Sequence, residues 1–110
     1  MSYRLPRDFS SQHRESNVDA LNYELLQEAA ATFARLGRRL ERALEALAAF
    51  DAGGGGAAED REALVADAGE ALSFYVVQRE VMGLHDTEAV LREFGIPREV
   101  RMRMGVPRGR

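Results

Sequence analysis

An all-α fold, an antiparallel hairpin of two long helices followed by two short C-terminal helices, is predicted by three features of the sequence. Two segments place apolar residues at steps of three and four, the repeat of a helix face. Four consecutive glycines, Gly53 to Gly56, separate those segments. From Gly83 onward, glycine, proline and capping residues divide the rest of the chain into two short helical stretches.

Residues 1–16 read as a flexible, irregular N-terminal arm. Pro6 fixes one turn, the polar residues after it show no periodicity, and Tyr3, Leu5 and Phe9 could dock the arm on the body. The single helical domain then spans 17–105. Ser16 or Asn17 is placed to cap the first helix, because a side-chain oxygen there can accept from the free amides of the first turn. The stripe Val18, Leu21, Leu25, Ala29, Phe33, Leu36, Leu40, Ala43, Leu47, Phe50 advances by three or four at every step. At about 1.5 Å per residue this is a helix of about 50 Å. From Phe33 the steps alternate strictly, as in a coiled-coil seam. Gly37 lies beside the seam and either marks a close helix crossing or kinks the helix.

The loop 51–59 contains the glycines, whose backbone entropy cost stops a helix. A phosphate-cradling role does not fit, since no Gly-Lys-Ser/Thr follows and no strand precedes. A second helix runs from about Asp60 to Met82, with Glu59 or Asp60 near its cap. Its seam is Leu64, Ala68, Ala71, Tyr75, Gln78, Met82. Matching seams across a short loop predict antiparallel pairing, with facing positions summing to about 111. The expected layers are Leu47 with Leu64, Ala43 with Ala68, Leu40 with Ala71, Leu36 with Tyr75, Phe33 with Gln78, and Ala29 with Met82. Gln78 would then be internal, and its amide would need a neighbour such as Asn22, Tyr75 or a second subunit.

His85 or Asp86 caps a third helix, Thr87 to Phe94, which Gly95 ends at a left-handed position. Pro97 opens a fourth, Arg98 to Met104, and Gly105 closes it. Residues 106–110 form a frayed tail.

Composition removes several function classes. With no cysteine there is neither a disulfide nor a thiolate metal site. The net charge of −3 and pI near 5.4 oppose non-specific attraction to nucleic acid or anionic membrane. The polar amino terminus and the absence of an apolar run near the roughly 18 residues of a membrane span point to the cytoplasm and to no membrane partner. All fifteen basic residues are arginine, which reflects either a GC-rich genome or an arginine surface for carboxylates and phosphates. Arg35, Arg38, Arg39 and Arg42 form the densest basic cluster, and Glu41 and Glu45 interleave with it as on a solvated, ion-paired face. Glu24 and Glu28 share a face but lack the Glu-x-x-His partners of a carboxylate metal site. His13 and His85 stand far apart, and no nucleophile, base and orienting group recur at a catalytic spacing.

Two surfaces remain as candidates. Leu72 to Val77 is apolar on nearly every side of a helix, so either the C-terminal segment or a second subunit must cover it. Leu72, Phe74, Val76, Val77 and Gln78 therefore form the expected association surface. The segment TEAVLREFGIPREVRMRMG, 87–105, has the outline of a helix-turn-helix, in which Arg98, Arg101 and Arg103 would meet phosphates or base edges. Against that, Val100 comes one position earlier after Gly95 than the usual spacing and the second helix is short. The alternative is a helical cap that packs Val90, Leu91, Phe94, Ile96, Val100 and Met104 on the hairpin.

At LNYELLQEAAATFARLGRRLERALEAL, FYVVQREVMGLHD and FGIPREVRMRMG the chain resembles a family of short helical proteins, a domain of unknown function seen mainly in alphaproteobacteria. The resemblance covers about Leu21 to Gly105 without the glycine loop. It implies a small helical fold and transfers no activity, cofactor or site residue. The sequence is thus read as a non-enzymatic helical protein-association module without cofactors. It is expected to act as a homodimer whose two hairpins form a four-helix bundle-like core, or with an unidentified protein partner. The alternative is a nucleic-acid-binding regulator using 87–105.

Overall fold

The computed structural model describes residues 7–107, with side chains from residue 14 on. The described residues are all-helical, with no strand: α1 is Arg7–Ala52, α2 Ala58–Val81, α3 Thr87–Phe94 and α4 Arg98–Arg103. The chain divides after Thr32 into two compact units.

Helix α1 starts ten residues before the expected cap at Asn17, so the irregular arm expected over 1–16 is helical from Arg7 on. Between Arg7 and Leu36 there is neither glycine nor proline, so no residue there breaks a helix. Lack of apolar periodicity was a poor guide, because it says nothing of whether the backbone favours a helix. Tyr3 and Leu5, and the docking expected of the Phe9 side chain, lie outside the described residues.

The second unit holds the core. Leu40, Ala43 and Leu47 of α1 pack with Val65, Ala68, Ala71, Leu72, Tyr75 and Val76 of α2, and Phe33, Leu36, Leu44 and Leu64 lie against them. The antiparallel register agrees with the seam. Asp51 meets Arg61, Phe33 meets Arg79, and Gly37 lies against Tyr75, each pair summing to 112. Helix α1 passes Gly37 without a break, and a Cβ there would stand 3.4 Å from the Tyr75 ring. Gly37 therefore lies at the helix crossing without being required by it, since that distance is an ordinary contact. Tyr75 is the centre of an aromatic column, edge-on to Phe33 at 5.0 Å and to Phe94 at 5.1 Å.

The hairpin turn is Gly53–Ala57, with Gly54 and Gly55 at φ of +86° and +110°, conformations costly for any residue with a Cβ. Helix α2 has Ala57 at its N-cap without a side-chain hydrogen bond, and Glu59 and Asp60 stand in its first turn, where they favour the positive end of the dipole. Asp86, not His85, caps α3 by accepting from the Ala89 amide at 3.1 Å. Gly95 ends α3 in the left-handed conformation. Pro97 occupies the N-cap of α4, which stops at Arg103, one residue short of expectation.

The C-terminal helices close the core from the side. Val90, Leu91 and Val100 are buried in it, with Phe94, Ile96 and Met104 against it. Helix α4 packs on α2 at Gly69, where an added Cβ would lie 2.7 Å from Arg103 Cβ. The Ser73 hydroxyl fastens the same crossing, donating to the Gly69 carbonyl at 3.0 Å and accepting from the Gly105 amide at 2.7 Å.

Candidate functional site

The five residues expected to form the association surface do not share one environment. Leu72 is fully buried and Val76 nearly so, because the C-terminal helices supply the cover that the apolar run requires. These two belong to the core and are not available to a partner. Gln78 is half-buried, so water reaches its amide and the internal partner expected for it is not required. Phe74 and Val77 remain exposed, at 50% and 56%.

Val81, which the sequence reading left out, is 75% exposed. It extends Phe74 and Val77 into a row at i, i+3 and i+7 along one side of α2. The spacing was readable, but the overlapping seam Tyr75, Gln78, Met82 hid it. Met82 itself is 40% exposed.

Charge borders this row. The Arg39 guanidinium lies 5.3 Å over the Phe74 ring and donates to Glu70 at 2.7 Å, with Asp67 at 3.8 Å. Arg39 therefore pairs across the hairpin and not with Glu41 or Glu45 on its own helix. Arg35 and Arg42 lie one turn to either side of it on α1, and both are exposed, as is Arg38.

The first unit has its own apolar face. Val18, Leu21, Leu25 and Leu26 are each more than half exposed, and the charged residues among them are all acidic: Glu15, Asp19, Glu24 and Glu28, with no basic residue between Arg14 and Arg35.

The arginines of the helix-turn-helix-like segment are largely engaged within the fold. Arg101 donates to Glu88 of α3 at 2.7 Å, and Arg103 is ion-paired with Glu62 of α2. Arg98 is exposed and has no ion pair among the described residues. At the glycine end, Arg61 holds Asp51 of α1 and Glu99 of α4 together, with donor distances of 2.6 to 3.0 Å. Those hydrogen bonds hold both carboxyls below their ordinary range and raise the guanidinium further above its own.

Among the described residues, shallow clefts flank α4. One of about 550 Å³ is lined by Glu62, Val65, Arg98, Glu99, Met102 and Arg103; another, about 400 Å³, has Leu44, Leu47, Ala48, Phe94 and Pro97 along its wall. Glu62, Glu99 and Arg103 in the first are already paired with neighbours. Among the described residues no group of three His, Cys, Asp or Glu side chains is placed to hold a metal ion, and no helix is long and apolar enough to cross a membrane.

No curated protein and no solved structure matches the chain. Residues 1–109 match the profile of a family of unknown function, DUF6665, and the chain belongs to that family.

Proposed function

We infer that the protein is a non-enzymatic helical association module that works as a homodimer in the cytoplasm. The observation that supports this reading is the exposed row Phe74, Val77, Val81, which stays outside a core already closed by α3 and α4. Apolar residues at helical spacing along one side of a helix are the pattern of a helix–helix contact. Two copies joined through this side of α2 would bring four long helices together, as the bundle-like core expected from the seams requires.

Size-exclusion chromatography with light scattering at micromolar concentration tests it. A mass of twice the 12.2 kDa chain is expected, and a mass of one chain would overturn the reading. A nucleic-acid role for 87–105 is the other reading. The ion pairs of Arg101 and Arg103 leave it Arg98 as the one uncommitted cation of the three. A gel shift on random duplex DNA at low salt should show no retardation; a shift abolished by Arg98→Ala would favour the nucleic-acid reading instead.

A further inference from the structure

We propose that the dimer forms by exchange: the acidic helical segment 15–28 of each copy lies on the apolar row of the other copy's α2, beside that copy's Arg38 and Arg42. This rests on the homodimer reading and specifies which surfaces meet.

Among the described residues, two of the exposed apolar surfaces have opposite bordering charges. In the segment, the row Leu21 and Leu25 runs beside the row Glu24 and Glu28, each pair four residues apart and so on one side of the helix. Asp19 and Glu15 continue the negative charge toward its start. On the hairpin, Arg39 over the Phe74 ring brings α1 beside the row Phe74, Val77 and Val81 at that point, and Arg38 and Arg42 are exposed on the same stretch of α1. None of the four acids, and neither Arg38 nor Arg42, has an ion-pair partner among the described residues.

Charge decides which surfaces join. Pairing segment with segment would set four acids against four acids with no base to offset them, and juxtaposed like charges oppose association. Pairing segment with hairpin puts acids against arginines and apolar row against apolar row. Residues 15–28 and 35–42 both belong to α1, so each copy carries one acidic and one basic stretch. A second copy supplies both halves, and two reciprocal contacts close a two-fold dimer.

Reversing charge on each side separately tests this. Glu24→Arg with Glu28→Arg replaces the acids beside the apolar row of the segment with bases, and Arg38→Glu with Arg42→Glu replaces the arginines that would face them with acids. By light scattering, at a concentration where the parent is dimeric, each double variant alone should have the mass of one chain. An equimolar mixture of the two should regain the mass of two. The chain carrying all four substitutions should also dimerise, which guards against simple misfolding as the cause of the monomers. Either double variant dimerising alone, or a mixture or four-substitution chain that stays monomeric, would overturn the exchange. If the parent is dimeric and both double variants remain so, only the exchange fails; a monomeric parent removes the homodimer reading as well.

Discussion

The two interior glycines of the long helices should respond in opposite directions to the same substitution. In a helix, Gly→Ala gains about 0.8–1.0 kcal/mol of intrinsic propensity, so both Gly37→Ala and Gly69→Ala begin with that advantage. At Gly37 the new methyl would stand 3.4 Å from Tyr75 Cε1, an ordinary contact, and the gain should survive. At Gly69 it would stand 2.7 Å from Arg103 Cβ and 3.1 Å from that residue's carbonyl carbon and oxygen, where carbon atoms prefer about 3.5–4.0 Å. Those neighbours are backbone and Cβ, which cannot rotate aside, so α4 must move away from α2 and disturb the Ser73 bonds to Gly69 and Gly105. Overpacking of this kind costs about 1–3 kcal/mol. Because the propensity gain is common to both variants, their difference isolates the packing cost. Gly69→Ala should be less stable than Gly37→Ala by about 1–3 kcal/mol, a separation of about 4 °C or more in Tm. Urea and thermal unfolding followed by circular dichroism, at one fixed protein concentration, measure it. A Gly69→Ala protein as stable as Gly37→Ala would refute the close α2–α4 approach.

Two further outcomes follow from the aromatic column and the α3 cap. Burial pushes the Tyr75 phenol above its ordinary value, with Arg79 opposing the shift and Glu93 and Glu41 adding to it. A raised folded pKa means that the neutral phenol's contribution is complete below about pH 10 and is lost as pH rises through the folded value. Tm should therefore fall between neutral and strongly alkaline pH, and Tyr75→Phe should lessen that fall; an unchanged alkaline decline would show that the phenol is not buried. Asp86→Ala removes the N-cap of α3 and should cost about 1 kcal/mol, visible as a lower urea midpoint with the slope preserved, and a midpoint equal to the parent's would mean the cap bond carries no stability.

The hairpin was legible because its information is periodic and local. Steps of three and four from Phe33 to Phe50 and from Leu64 to Met82, with glycines between, leave one antiparallel register, and the Gly37–Tyr75 and Asp51–Arg61 contacts lie within a residue of it. The Asp86 cap and the left-handed Gly95 were readable for the same reason. What depended on remote neighbours was not readable. Leu72 and Val76 look like surplus apolar surface until Val90, Leu91 and Val100 are folded over the hairpin. The sequence around Gly69 gives no reason for a glycine there, and only the passage of α4 over it supplies one for the missing Cβ. The start of α1 was missed because Arg7 to Ser16 carries no apolar period in the sequence.

The exclusive use of arginine takes on a different meaning once the pairs are known. The sequence left two readings open, genome composition or a surface for anions. Arg39 joins α1 to α2 through Glu70, Arg101 joins α4 to α3 through Glu88, and Arg103 joins α4 to α2 through Glu62. Arg61 joins α2 to both α1 and α4, with four hydrogen bonds to two carboxylates. A guanidinium can do this because its donors form a rigid planar fork; an ammonium is a point charge and cannot hold two carboxylates in fixed orientations. Exposed pairs of this kind contribute little stability individually. Their effect is on register, since sliding any helix by one turn would break a specific pair while leaving apolar contacts of similar size. The arginines between helices thus serve the fold, whichever codons favoured them. By the same division Arg38 and Arg42, like Arg98, stand outside this network among the described residues, and the first two are the arginines that the proposed exchange would engage.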